Sequence, residues 1–207
     1  MDSSKELQRR VLDELDWEPS VNAAHIGVAV NDGVVTLTGA VTTYAEKVAA
    51  EHATKRLIGV KAVANDLEVR PASPTKPNDT EIAQAAIGAL EWDVSVPHEL
   101  IKTRVANGLV TLEGEVKFWY QRQAAENAVR GLKGVQGVIN LISIRPALRA
   151  TDVKSRIESA FRRSAEIDAS RIQVETSDGT VKLRGRVRSW GERQEAEKAA
   201  WAAPGVI

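Results

Sequence analysis

The sequence contains no cysteine, few aromatic residues (4%) and no apolar run of the roughly 18 residues that a membrane-spanning helix requires. The absence of cysteine excludes disulfide bonds and thiolate metal sites. The 28 basic residues balance the 28 acidic residues, so the chain as a whole has no field that attracts nucleic acid or a membrane. We therefore predict a folded protein with no transmembrane segment and no nucleic-acid partner.

The N-terminus gives an expectation about location. Its first ten residues, MDSSKELQRR, pass directly into a helical pattern and contain no apolar core of a secretion signal. The chain as written is therefore expected to be cytoplasmic. A periplasmic protein whose leader had been removed would have the same N-terminus, so a periplasmic location is the alternative.

Three short segments of the chain follow one pattern. They are GVVTLTG at 33–39, GLVTLEG at 108–114 and GTVKLRG at 179–185, and they lie 75 and then 71 residues apart. Solenoid repeats run to roughly 20–50 residues, so this longer period favours a small domain repeated in tandem. The predicted domains and linkers are 1–71, a proline-rich linker at 72–78, 79–146, a short linker at 147–150, and 151–207.

Each domain shows the same order of hydrophobic patterns. In the first domain, Leu7, Val11 and Leu15 have the spacing of an amphipathic helix. Alternating apolar residues then predict two strands joined by an Asx-Gly turn, followed by an alanine-rich helix and a last strand. Glycines at the turns and strand ends are expected to be structural: Gly33, Gly39, Gly108, Gly114, Gly179 and Gly185.

The predicted fold class is α+β, with three tandem two-layer α/β sandwich domains. Each domain has the order α-β-β-α-β and a three-stranded mixed sheet, in which the second helix is a right-handed crossover. Both helices are expected to cover one sheet face and to leave the other exposed. The third domain stops at Gly205-Val206-Ile207, where the others begin their last strand. We therefore expect its sheet to lack that strand, through truncation or because a partner supplies it.

The start of the second helix has a recognisable cap in two domains. Thr43 with Glu46, and Ser189 with Glu192, have the spacing of capping boxes, in which a hydroxyl and a carboxylate bind backbone N–H groups that the helix leaves unpaired. The second domain has a phenylalanine at the capping position and Gln121 three residues later. The second domain therefore keeps only one of the two capping-box residues, the side-chain acceptor of Gln121.

This order of elements resembles the BON domain, a module shared by bacterial osmotically inducible periplasmic proteins and nodulation-related proteins. Beside the three repeated strands, the resemblance is carried by Gly59-Val60, 65–67, Gly134-Val135, 140–142 and Gly205-Val206. It covers nearly the whole chain. The resemblance implies a non-enzymatic bacterial module that is associated with phospholipid or envelope binding and with protection against osmotic stress.

The residues contain no pattern that favours catalysis. His25, His52 and His98 occupy three different domain positions, and none has a second ligand or a carboxylate at a metal-site or triad spacing. The GLKG segment at 131–134 has the GxxG spacing of some RNA-binding loops, but a strand follows it, which favours a simple helix end. We therefore expect no enzyme, no catalytic residue, no metal and no cofactor.

Four cations in the third domain form a candidate anionic-ligand face. They alternate with other residues, which places them on one face of one predicted strand. An exposed cation near an anionic bilayer contributes about 1 kcal/mol of attraction. Anionic phospholipid is the partner that the resemblance implies, and the alternative is a solvated face partly paired with Glu175 or with carboxylates of the second domain. The four cations are Lys182, Arg184, Arg186 and Arg188.

Aromatic residues recur at two domain positions. Trp17 and Trp92 directly follow the first helix, whereas Tyr44, Trp119 and Trp190 begin the second helix. Recurring aromatics favour a packing role, and the alternative is an anchor at a lipid or protein surface. The candidate aromatic contact surface is Phe118, Trp119, Tyr120 and Trp190.

Two functions are compatible with these features. The first is multivalent binding of anionic phospholipid, because linked weak modules gain from a high effective concentration. The second is a protein-interaction scaffold or self-assembling adaptor, in which exposed sheet faces, the aromatic cluster and an open strand edge dock partner proteins or other copies.

Overall fold

The computed structural model describes residues 4–72, 77–145, 152–164, 167–177, 180–203 and 206. Most of the proline-rich linker, the linker at 147–150 and the predicted turn glycine Gly179 lie outside these residues. Within the described residues the chain forms six helices and eight strands, which repeat in one order. The prediction of three α+β units is confirmed.

The elements of the first domain are α1 (Ser4–Trp17), β1 (Ile26–Asn31), β2 (Val34–Val41), α2 (Tyr44–Arg56) and β3 (Ala62–Val69). Those of the second are α3 (Asp79–Trp92), β4 (Ile101–Ala106), β5 (Leu109–Val116), α4 (Trp119–Arg130) and β6 (Gly137–Ile144). Those of the third are α5 (Val153–Arg163), β7 (Ile172–Ser177), β8 (Thr180–Gly185) and α6 (Trp190–Trp201). In each domain a single 3-10 turn precedes the first strand.

The two complete sheets are mixed, as predicted. β2 lies in the centre, antiparallel to β1 and parallel to β3, and β5 has the same relation to β4 and β6. The third sheet has two strands among the described residues, the antiparallel pair β7 and β8. This agrees with the prediction that the last strand of the third domain is missing.

Each domain has its own hydrophobic core between the helices and one sheet face. In the first domain Leu7, Val11 and Leu15 of α1 meet Val35 and Leu37 of β2, and all five are buried. Burying a side chain of this size contributes about 1.5–3 kcal/mol relative to leaving it exposed. The period of the apolar residues in the sequence therefore determines which face of each element is covered.

Glycine is required where the second strand passes the start of the first. Gly39, Gly114 and Gly185 all have positive φ values of 116°, 151° and 156°. A Cβ atom at any of them would collide with the carbonyl oxygen of the residue that precedes the first strand. The structural role predicted for these glycines follows from this close backbone approach.

An asparagine ties the last strand to the second helix. The Asn65 side chain donates from Nδ2 to a backbone carbonyl of α2 at 3.2 Å and to Glu51 Oε2 at 3.0 Å. Asn140 makes the equivalent two bonds to α4. In the third domain the residues at the helix positions of this network, Arg193 and Glu197, bond to each other instead at 2.8 Å. The asparagines of the segments at 65–67 and 140–142, which carry the resemblance, therefore have a structural role.

Candidate binding surface

The predicted basic face of the third domain is divided between a strand and the segment that follows it. Lys182 and Arg184 lie on β8, which ends at Gly185, whereas Arg186 and Arg188 come after the strand. The prediction of one strand carrying all four cations is therefore wrong in its second half. In the first two domains the last residues of β2 and β5 pair only with β3 and β6. The described third domain has no strand equivalent to β3 or β6. The residues after Gly185 therefore have no strand to pair with, and β8 ends there.

All four cations are exposed, but they differ in their partners. Arg184 Nη1 donates to Glu175 Oε1 at 2.8 Å, which confirms the predicted pairing across the hairpin. Arg188 Nε lies 3.3 Å from Glu192 Oε2. Lys182 and Arg186 form no ion pair with any residue that the structure describes. Arg188 also lies near enough to Asp168 to lower the pKa of that carboxyl. Among the described residues, the positive charge that no carboxylate offsets is therefore that of Lys182 and Arg186.

The carboxylates of the two predicted capping boxes, Glu46 and Glu192, are buried. Each also binds a backbone N–H that lies outside the capping box. Thr43 Oγ1 accepts from the Glu46 N–H at 3.1 Å, as expected. The Glu46 carboxylate, however, accepts from the Thr42 N–H at 2.8 Å and from the Asn22 N–H at 2.9 Å. Burial by itself raises the pKa of Glu46, but these backbone donors outweigh it and hold the pKa below its ordinary value.

The third domain repeats this arrangement. Glu192 accepts from the backbone N–H groups of Asp168 at 2.9 Å and Arg188 at 2.6 Å. Burial raises the pKa of Glu192, and the two N–H groups together with the Arg188 guanidinium lower it by more. The carboxylate therefore fixes the backbone at the end of the basic strip.

Trp190 lies at a junction between domains. Its ring is 5.4 Å from Lys55 Nζ of the first domain and 4.8 Å from Arg193 Cζ of its own helix. Cations at these distances from a tryptophan ring attract its electron-rich face. A side chain at Gly191 would begin only 3.8 Å from the Arg56 Cα, so α6 and α2 pack closely here. Trp190 therefore contacts cations, whereas the ring contact among the predicted aromatic surface residues is that of Phe118 with Tyr120.

Tyr44 forms a second junction, between the first and second domains. Its ring packs against the core of the second domain, where Val138 of β6 also packs. Burial raises the pKa of Tyr44, and Arg130 of α4 lies close enough to act on it. Arg130 also lowers the pKa of His52, after the larger effect of burial. The packing role predicted for Tyr44 is real, but its core belongs to the neighbouring domain.

The remaining aromatic cluster is exposed at the start of α4. Phe118 and Tyr120 stack with ring centroids 5.6 Å apart and an angle of 16° between their planes. Their exposed fractions are 49% and 54%, while Trp119 between them is half-buried. This pair therefore presents a small apolar surface to solvent.

The packing role predicted for Trp17 and Trp92 is wrong. They are 82% and 89% exposed. Each lies two residues after the last buried leucine of its helix, Leu15 or Leu90, which is about 200° around the helix axis. The helical period placed them opposite the core, and this signal was available in the sequence.

The described residues contain no group of three or more side chains that could hold a metal ion. His25 and His98 lie in the 3-10 turns before the first strands, and His52 lies at the domain junction. None of the described helices combines the length and apolar character needed to span a bilayer.

The fold is a tandem array of small α+β domains with an exposed sheet face on each. A family model for the BON domain matches the chain three times, at 3–71, 78–146 and 149–207. The chain belongs to the BON domain family, which confirms the resemblance seen in the sequence. Osmotically-inducible protein Y of Escherichia coli (strain K12) is 30% identical over 137 residues, which cover 62% of this chain and 68% of that protein.

Solved structures of CdsD, a structural protein of the type III secretion system of Chlamydia trachomatis, also align with the chain. One is 14% identical to this protein, with a TM-score of 0.27. The alignment covers 98% of this chain and 88% of that chain. The other, its C-terminal domain, is 13% identical and covers 99% and 94%, with a TM-score of 0.26. Similarity at this level carries no conclusion about function.

Proposed function

We propose that this protein is a non-enzymatic binding protein whose linked domains attach to anionic phospholipid surfaces of the bacterial envelope during osmotic stress. The relation to stress rests on the family and on the name of its relative, Osmotically-inducible protein Y. The observation that carries the lipid proposal is the exposed basic strip Lys182, Arg184, Arg186 and Arg188, two of whose members have no carboxylate partner in the described chain.

The expected affinity of this strip is low. Each cation near an anionic bilayer contributes about 1 kcal/mol, and the effect falls off within a Debye length. Lys182 and Arg186 together would then contribute about 2 kcal/mol, or roughly a 30-fold gain in binding. Arg184 and Arg188 add less, because each already lies beside a carboxylate. Attachment should therefore be reversible and should weaken as salt is added.

The proposal is tested by co-sedimentation with vesicles of phosphatidylglycerol and phosphatidylcholine, or of phosphatidylcholine alone, at low and high salt. Wild type should pellet with the anionic vesicles at low salt and be released at high salt. Lys182→Glu with Arg186→Glu should lose most of this binding. The matched control is Lys102→Glu with Arg104→Glu, which makes the same charge change on the exposed sheet face of the second domain.

Two results would end the lipid proposal. One is the absence of binding to anionic vesicles at low salt. The other is an equal loss in the third-domain and second-domain charge variants, which would show that only the net charge matters.

An interaction scaffold is the second candidate function. The observation that favours it is the exposed, stacked pair of Phe118 and Tyr120, since aromatic residues are enriched in protein interfaces. Such a role needs no lipid and is compatible with attachment to a membrane through the third domain.

A further inference from the structure

The two junctions between domains use equivalent residues. Trp190, at the start of α6, meets Lys55 near the end of α2. Tyr44, at the start of α2, packs on the second core, and Arg130 at the end of α4 lines a pocket with the neighbours of Tyr44, Thr43 and Ala45. The repeat places Tyr44 and Trp190 at one domain position, and Lys55 and Arg130 at another. We call the start of each second helix its head and the end of that helix its tail.

A contact between a head and a tail joins two different surfaces. Such a heterologous contact leaves one head and one tail unused, so it can be repeated by further units. In this chain the heads of α6 and α2 and the tails of α2 and α4 form the two junctions. Among the helices of the described residues, the remaining head is that of α4, and the remaining tail is that of α6.

The remaining head differs from the two that are engaged. Where it has Phe118, the others have the hydroxyl residues Thr43 and Ser189. Tyr120 stands where the others have Ala45 and Gly191, so the α4 head carries two additional rings. Both residues are about half exposed, and their rings stack on each other, so this head keeps an apolar surface open to solvent within the described chain.

The α6 tail is aromatic, like the α4 head. Trp201 occupies the position of Lys55 and Arg130, and its ring is only half-buried against the third core. The next residue, Ala202, is small and exposed. Lys55 of the α2 tail lies over the Trp190 ring, and the α4 tail has the cation Arg130 at the equivalent position, whereas this tail has a ring. Aromatic rings pair favourably when their centroids lie about 4.5–7 Å apart.

We propose that the α4 head, through Phe118 and Tyr120, docks on the α6 tail around Trp201 of a second copy of this chain. The contact joins a head to a tail, as Trp190 and Lys55 do within the chain, but it places ring against ring in place of ring against cation. Because head and tail are different surfaces, successive copies join into a head-to-tail ring or open series rather than a symmetric pair. The contact is small, so assembly depends on concentration. This inference does not depend on lipid binding.

The head variant is Phe118→Ser with Tyr120→Ala. It installs residue types that the equivalent positions already carry, Ser189 and Ala45, so α4 should fold normally. Sedimentation velocity in the absence of lipid, over about a hundredfold range of concentration, measures the mass. Wild type should rise beyond the mass of a dimer, and the head variant should remain a monomer.

A mixing experiment separates this arrangement from other kinds of association. The tail variant Trp201→Glu keeps its head, and the head variant keeps its tail, so an equal mixture should form dimers of one of each and nothing larger. Circular dichroism confirms that both variants are folded. The proposal is overturned if wild type is a monomer throughout, if its mass stops at a dimer, or if the head variant assembles like wild type.

Discussion

The first and second domains share a fold but differ in how they fasten the start of the second helix. In the first domain the buried Glu46 carboxylate binds the backbone N–H of Asn22, which lies 24 residues earlier. In the second domain Gln121 accepts only from the local N–H groups of Lys117 and Phe118, both at 3.1 Å. The position of Asn22 is occupied there by Pro97, which has no N–H to donate.

This difference shows that a repeated fold does not repeat its chemistry. A buried carboxylate is stable only where enough donors surround it, and the proline removes one of them. A neutral amide costs less to bury with fewer bonds, so Gln121 suits the second domain. The third domain resembles the first, because Asp168 supplies the distant N–H to Glu192. Acid should therefore affect the first and third domains more than the second.

The largest expected effect comes from removing the carboxylate. Glu46→Ala leaves the N–H groups of Asn22 and Thr42 without their acceptor and should cost about 2–3 kcal/mol, because bonds to charged groups are the stronger ones. Gln121→Ala in the second domain should cost about 1 kcal/mol. Hydrogen exchange of the affected segments, read by mass spectrometry, measures both. Equal losses in the two domains would contradict the comparison.

Acid should destabilise the first and third domains more than the second. The pKa values of Glu46 and Glu192 are lower in the folded chain than in the unfolded chain. The unfolded state therefore binds a proton first, so this stability is present above the ordinary carboxyl pKa of about 4.3 and is lost as the pH falls through the folded values. Hydrogen exchange at several pH values, corrected for intrinsic rates, should show acid opening in the first and third domains. Earlier opening of the second domain would contradict this.

The second domain can be given the bond that Glu46 and Asn22 form in the first domain. Pro97→Asn restores the distant N–H, and Gln121→Glu supplies the carboxylate. The double variant should gain about 1 kcal/mol at neutral pH. Urea unfolding at pH 7 and at successively lower pH values, down through the lowered pKa of the folded carboxylate, measures the change. The gain should disappear in acid, and a gain that persists there would show that the carboxylate is not its cause.

The smallest expected effect concerns the cap itself. Phe118→Ser provides the hydroxyl that Thr43 and Ser189 supply at the equivalent positions. It should stabilise α4 by about 0.5–1 kcal/mol. Exchange of the first-turn amides of α4 is the readout. Phe118→Ala is the control, since it removes the ring without adding an acceptor, and an equal effect of both would point to the ring.

Much of this fold could be predicted from local patterns. The spacing of Leu7, Val11 and Leu15 gave the core face of α1, and the repeated glycines marked the close approach at Gly39. The exposure of Trp17 also followed from the helical period. These features depend on residues a few positions apart in one helix or one strand. Their spacing can therefore be seen directly in the sequence.

Features that depend on distant partners could not be predicted in the same way. Nothing near Tyr44 indicates that its ring packs on the core of another domain. The bond from Asn22 to Glu46 joins residues that only the folded chain brings together. The early end of β8, which separates Arg186 from Lys182 and Arg184, depends on which strands lie beside it.

The proposed function locates anionic lipid binding in the third domain, and hydrogen exchange in the presence of phosphatidylglycerol vesicles tests this location most directly. We predict new protection within residues 180–188, with little change on the equivalent strands of the first and second domains. Protection confined to those two domains, or no protection at low salt, would contradict the assignment of the basic strip as the lipid-binding surface.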